Sequence, residues 1–233
     1  GNYLPEHLFT LRQALQSYRH YRQMIKACGK EIEAYLTEFE SSIDPDENPP
    51  PTPRVKETKP KRNEPDFDLR SHLYRLFGTD LTQVDGINVL TAQSLFAEIG
   101  PNLSKFPSVH HFCSWLGLCP NNKISGGRIL AAKTRQGSNR AAQALRLAAH
   151  ALWRSHSYLG HYYRRMRARH GAPKAITSTA HKLARIVFYL IKTGQTYDES
   201  VFAEQESLHK QRMARNLKKR AKMLGFQLIP CQD

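Results

Sequence analysis

The chain has 233 residues, 35 Lys+Arg against 20 Asp+Glu, a formal charge of +15 and 40% hydrophobic residues. That length holds one or two domains with a real core, and no run approaches the ~18 apolar residues of a membrane span. Four scattered cysteines (Cys28, Cys113, Cys119 and Cys231) and the lack of a basic-then-apolar leader argue against a secreted or disulfide-stapled protein. A reducing cytoplasm is the expectation, and the start at Gly1 rather than Met fits a fragment or processed form.

Residues 6–43 predict one long helix. Leu11, Tyr18, Ile25, Ile32 and Phe39 recur every seven residues. Leu8, Leu15, Leu36 and Ile43 share a second heptad position that Arg22 and Gly29 interrupt. The pattern fits a coiled-coil seam that joins two chains, and equally an amphipathic helix packed within its own chain. Residues 44–66 hold seven prolines and little that is apolar, which predicts an extended, mobile linker.

From 67 to 198 the pattern reads as one compact helical domain, so the expected fold class is all-α. Asp66 is read as the N-cap of a helix carrying Leu69, Leu73, Leu76 and Phe77. Ser108 is read as the cap of a short helix through Trp115 and Leu116, and Asn139 as opening an Ala/Leu-rich helix to about Ser155. Two more helices follow at about 157–170 and 174–193, then a basic helix at about 199–224 within a tail of 199–233. No strand pattern stands out, although 118–136 is irregular enough to hold a short hairpin.

The charge is not evenly spread. Between Glu98 and Asp198 lie 99 residues with no Asp or Glu, yet with 16 Lys+Arg and seven of the eleven histidines. The rest of the chain carries 19 basic and 20 acidic residues, so the whole excess belongs to this block. Soluble proteins normally mix both signs, and a block with no anion of its own points to a nucleic-acid backbone as its partner. The same block excludes in-chain two-metal phosphoryl transfer, which needs carboxylates to hold Mg²⁺.

Two segments invite chemistry. LTQVDGINVLTAQSLFAEIG (81–100) is similar to a helix-hairpin-helix, whose tight turn aims backbone N–H groups at a DNA phosphate. Gly86 would supply the turn geometry, with Asn88 standing where a second Gly is usual; a purely structural corner is the other reading. In GLCPNNKISGGRILAAKTRQGSN (117–139), Gly126 and Gly127 follow Ser125, and Lys123, Arg128, Lys133 and Arg135 surround it. That composition describes an oxyanion-binding loop holding one hydroxyl, or else a simple turn. Arg140 and Arg146, on the next helix, are candidates for backbone contact nearby.

In order, VDGI…A…LFAEIG, F…F.SWLGLCP, ISGG, TRQGSNRAAQALRLAAHA and a Lys/Arg-rich helix pair resemble the C-terminal domain of a bacterial insertion-sequence transposase family. In that family the N-terminal half is a Holliday-junction-resolvase-like (RuvC-like) DEDD domain, and pilin-inversion-type DNA invertases belong to the same group. The resemblance covers about residues 81–193. It implies that Ser125 is the nucleophile, forming a phosphoserine link to double-stranded DNA during strand exchange guided by a structured bridge RNA. It also implies a homo-oligomer through residues 6–43, and Mg²⁺ supplied by a RuvC-like domain that these 233 residues do not contain. No cofactor is expected in this chain, which alone should be inactive. The turn departs from the family's Pro-Gly-Ile-Gly, having Asp85-Gly86-Ile87-Asn88. A non-catalytic helix-hairpin-helix module binding DNA or RNA remains the alternative, and a structural dimerisation protein is a third reading.

Other candidates are more ordinary. His110, His111, Cys113 and Cys119 lack common zinc-ligand spacing. Arg164, Arg165, Arg167 and Arg169 form a dense cluster, but 164, 165 and 169 do not all share one helical face, which favours partial phosphate contact over a groove-reading surface. Tyr158, Tyr162 and Tyr163 suit either base stacking or helix packing.

Overall fold

A computed structural model describes residues 3–44, 47–53, 64–135 and 137–227. The rest of the proline-rich segment, and Cys231 in the tail, lie outside the described residues. The architecture is all-α with one two-stranded hairpin. Its helices are α1 (Pro5–Glu38), α2 (Leu69–Phe77), α3 (Val89–Ile99), α4 (Val109–Trp115), α5 (Arg140–Ala151), α6 (Tyr158–His170), α7 (Ala172–Thr193) and α8 (Ala203–Met223). Strands β1 (Pro120–Ser125) and β2 (Arg128–Thr134) lie between α4 and α5.

The core is built around α5 and α7. Ala141, Leu145 and Ala149 of α5 and Leu183, Ala184 and Val187 of α7 are fully buried, joined by Leu95 of α3 and Phe112 of α4. Small residues on α5 let its backbone approach its neighbours closely, and the larger side chains of α3 and α7 fill the space. Several helix starts follow ordinary capping chemistry, while Ser108 precedes α4 without a side-chain cap bond. Asn139 accepts from the Ala142 N–H at 3.0 Å, and Ser157 caps α6 through Gly160.

A second cap also differs from expectation. Asp68, not Asp66, caps α2, accepting from the Ser71 N–H at 3.1 Å. The Ala/Leu-rich helix also ends at Ala151, where a 3-10 turn (Leu152–Arg154) takes over.

Helix α1 is an arm. From Leu8 to Ile32 its heptad residues are exposed, and Leu36 is its one buried residue. Its end is clamped to the body by Arg75, whose guanidinium donates to the Leu36 and Phe39 carbonyls at 2.7 and 2.9 Å. Phe39 then packs edge-on to Phe96 at 5.4 Å. Of the two readings of this helix, packing within its own chain holds only for the last turn.

Part of the proline-rich segment is also anchored. Arg70 donates to the Pro51 carbonyl and pairs with Asp80, while the Gln83 amide donates to the Thr52 carbonyl at 3.1 Å. Burial of Asp80 opposes its ionisation, but hydrogen bonds from Thr82, Arg70 and Gln83 outweigh that and hold its carboxyl below the usual range.

Candidate nucleic-acid interface

Residues 120–134 form a hairpin that stands off the helical body. Ser125 pairs with Arg128, so Gly126 and Gly127 make a two-residue turn. Their φ values of +54° and +74° suit a type I′ turn, whose twist matches that of the flanking strands and which strongly favours glycine. All six residues of β1 are exposed. At the root, Arg146 donates to the Gly117 carbonyl at 3.4 Å.

The register decides which side chains share a face. In β1, Asn121, Lys123 and Ser125 project to one side, because successive residues alternate. Their cross-strand partners are Lys133, Ala131 and Arg128 respectively. Lys123, Ser125, Arg128 and Lys133 therefore occupy one exposed surface. A bulge makes this possible. The pairing shifts between Lys123 and Ile124, which leaves Leu130 as an extra, 70% exposed residue on β2. Without it, Lys133 would sit opposite Pro120 on the other face.

No salt bridge among the described residues engages Lys123, Arg128, Lys133 or Arg135, all of which are exposed. The surface thus carries fixed positive charge with no carboxylate of its own. It can hold an anion against a hydroxyl.

Arg140, Arg146, Gly86 and Asn88 lie outside this face. Arg140 lies 3.7 Å from Glu98, the last acid before the basic block. Arg146 is half-buried and supports the hairpin root. Gly86 has φ +89°, and a Cβ there would lie 2.8 Å from the Ala148 carbonyl oxygen and 3.0 Å from Leu152 Cγ. Its turn is therefore pressed against the end of α5. Asn88 caps α3, its side-chain oxygen accepting from the Thr91 N–H and hydroxyl, each at 2.8 Å. Both residues are thus engaged by the fold itself.

In the histidine–cysteine group, His110 and His111 are exposed, and His111 Nδ1 lies 2.8 Å from the Ser108 hydroxyl. Cys113 is buried, and burial, with Cys119 adding to it, pushes its thiol up to about 12 against the pull of Arg185. Among the described residues, no three His, Cys, Asp or Glu are placed to hold a metal ion. Of the tyrosines, Tyr158 and Tyr163 are buried, and Tyr158 stacks on Phe202 at 4.5 Å.

Lys182 is enclosed by the rings of Tyr158, Tyr162 and Phe202 at 4.5, 4.7 and 5.1 Å, and its ammonium donates to the Tyr158 hydroxyl at 2.7 Å. Desolvation, then Arg165 and Arg185, lowers its pKa from 10.5 to about 8. Between those values the unfolded chain holds a proton that the native chain has lost. This lysine's contribution to stability therefore rises with pH across that window, and is lost as pH falls through about 8. The melting temperature of the wild type is expected to gain on that of Lys182→Met as pH rises from about 7.5 to 10. A difference that stays constant with pH would refute the assignment.

Trp153 escaped the sequence reading, and so did its pairing with Arg167. Trp153, in the 3-10 turn after α5, is 44% exposed, and the Arg167 guanidinium lies 4.1 Å from its ring centroid. The available signal was a tryptophan inside the acid-free block at a helix end, where a purely structural indole would be expected to sink into the core.

Residues 78–164 match a family model described as the transposase IS116/IS110/IS902 family. The match spans the Gly86 turn, α3, α4, the hairpin, α5 and half of α6. This class of similarity supports an insertion-sequence transposase. A particular relative is the "Insertion element IS110 uncharacterized 43.6 kDa protein" of Streptomyces coelicolor, 33% identical over 131 residues. The aligned part is 54% of this chain and 31% of that protein, so the chain spans about a third of its relative's length. Among the described residues, no helix is long and apolar enough to cross a membrane.

Proposed function

We propose that this chain is the DNA-binding, serine-bearing part of a transposase or site-specific recombinase. The observation that carries the reading is the shared face of Lys123, Ser125, Arg128 and Lys133 on an exposed hairpin, inside the segment similar to transposases. In the reaction the Ser125 hydroxyl gives up its proton and its oxygen bonds to a DNA phosphorus. The phosphorus–oxygen bond to one deoxyribose breaks, and the released sugar hydroxyl takes a proton. The strand is left as a phosphoserine ester, which keeps the energy of the original diester for resealing. Lys123, Arg128 and Lys133, with Arg135 just beyond β2, stabilise the negative charge that grows on the phosphate oxygens.

The basic block has no carboxylate to hold magnesium, and no three His, Cys, Asp or Glu among the described residues are placed to do so. Mg²⁺ would instead be held by a RuvC-like domain outside these residues. Double-stranded DNA is the substrate, a structured guide RNA the second partner, and a bacterial nucleoid-associated cytoplasmic setting follows from the activity. The test is to trap the reaction with denaturant and map the DNA-linked peptide. An adduct on the peptide holding Ser125 is expected, and an adduct elsewhere overturns the reading.

The non-catalytic alternative draws on one observation: among the described residues, no hydrogen-bond partner that could serve as a base touches the Ser125 hydroxyl. Absence of any adduct, with DNA binding retained, would favour it.

The proposal also makes α1 a dimer seam. Leu11 and Ile25 are 64% and 66% exposed, so the body of the fold does not depend on them. Aspartate at both positions is expected to halve the solution mass while leaving the melting temperature of the body unchanged. An unaltered mass by sedimentation would remove the seam.

A further inference from the structure

The corner between α5 and α6 presents a tryptophan to solvent in a setting that holds it firmly. Leu152 beneath it is fully buried. Arg164 donates to the Trp153 and Ser155 carbonyls at 3.1 and 2.6 Å, which fixes the backbone on both sides of Arg154. The Ser155 and Ser157 hydroxyls bond at 2.8 Å, and the Ser157 N–H donates to Ser155 at 3.1 Å. The indole is thus carried on a braced turn, yet it remains 44% exposed.

Its surroundings are cationic. Arg167 lies over the ring at 4.1 Å, and Arg154 and His156 are exposed beside it in the chain. No salt bridge among the described residues engages Arg154 or Arg167, and Glu199, which reaches this corner, accepts from the Tyr158 N–H at 2.6 Å. A solvent-facing indole backed by a guanidinium, with further cations beside it and no carboxylate paired to them, is the chemistry that binds an unpaired nucleobase. The base stacks on the ring surface that Arg167 leaves open, and the cations meet the adjoining phosphates. Duplex bases, already stacked on one another, cannot use such a platform.

We infer that Trp153, backed by Arg167, is a stacking site for an unpaired base of a nucleic-acid strand, separate from the Ser125 hairpin. This rests on the nucleic-acid reading above. The stacked base belongs to a single-stranded DNA segment or to an RNA loop, two sources with the same base-stacking chemistry.

The chain contains two tryptophans, Trp115 and Trp153, so a Trp115→Phe chain reports Trp153 alone. That full-length chain is titrated with oligo-dT, oligo-rU and a blunt DNA duplex of equal length. Single strands are expected to quench Trp153 emission and the duplex to bind without quenching; whichever of dT and rU binds tighter identifies the source. Trp153→Ala is expected to weaken single-strand binding by roughly 5- to 100-fold. Trp153→Tyr, which keeps a ring, should recover most of that, and duplex affinity should change in neither variant. Single-strand binding with unchanged emission, or equal affinity in Trp153→Ala, overturns the platform and leaves the proposed function standing. Failure of every nucleic acid to bind overturns both.

Discussion

Ser125→Ala, placed in the protein acting with its metal-bearing partner domain, is expected to abolish the covalent DNA adduct and to slow strand exchange by at least ~10³-fold. Nothing else should change much. Ser125 is exposed and, among the described residues, its hydroxyl makes no hydrogen bond, so the side chain supports no packing and no network. Substitutions at such positions typically stay within about 0.5 kcal/mol of neutral. DNA affinity should likewise hold within about twofold, because phosphate binding comes from Lys123, Arg128 and Lys133 rather than from a neutral hydroxyl. The measurement is therefore a three-way comparison of adduct yield, DNA binding and melting temperature on one variant. Loss of adduct alone identifies a nucleophile. Loss of all three would mean that the hairpin had collapsed, and an undiminished adduct would end the assignment. Threonine gives a further check: it keeps the hydroxyl and suits a strand, so partial exchange activity should survive in Ser125→Thr.

The cationic face around Ser125 shows how far the sequence could be read. The turn was legible, since two glycines in succession after a serine leave little else for the chain to do. The helices were legible too, because α5 and α7 repeat apolar residues with helical period and α5 starts at a recognisable cap, Asn139. The strands were not. Every residue of β1 is exposed, so no buried face imposes the alternation that marks a strand. Still less visible was Lys133's place beside Ser125. It depends on the single-residue bulge at Leu130, and a shift of one position moves every later side chain of β2 to the opposite face. Local composition gathers the right residue types into the segment, but only the register says which of them meet. Gly86 shows the converse limit. Its need for positive φ was readable, but its crowding against Ala148 and Leu152 comes from a helix some sixty residues on in sequence.

Gly160 presents a case where local propensity and tertiary packing predict opposite signs, and where packing is expected to win. It lies in the first turn of α6, and by propensity alone alanine there would stabilise the helix by up to ~1 kcal/mol. A Cβ at this position would meet the Ser155 carbonyl carbon at 2.9 Å, with the carbonyl oxygen closer still, and the Leu152 carbonyl oxygen at 3.1 Å. These are backbone atoms, not the ends of flexible side chains. The Ser155 carbonyl is moreover held in place by the Arg164 guanidinium at 2.6 Å. Relief requires α6 to lift from the corner, which would open the contact of Leu159 and Tyr163, both buried, with the core. The net cost for Gly160→Ala is about 1–3 kcal/mol, and more for Gly160→Val, whose two extra methyl groups enter the same space. For a chain of this size that corresponds to a fall in melting temperature of roughly 2–4 °C per kcal/mol. Because the same shift would loosen the turn that carries Trp153, the fraction of Trp153 emission quenched by oligo-dT in a Trp115→Phe background should fall in Gly160→Ala even at temperatures where the protein is folded. A melting temperature equal to or above that of the wild type would show that α6 yields more easily than the Ser155 contact implies, and that helix propensity decides the sign here after all.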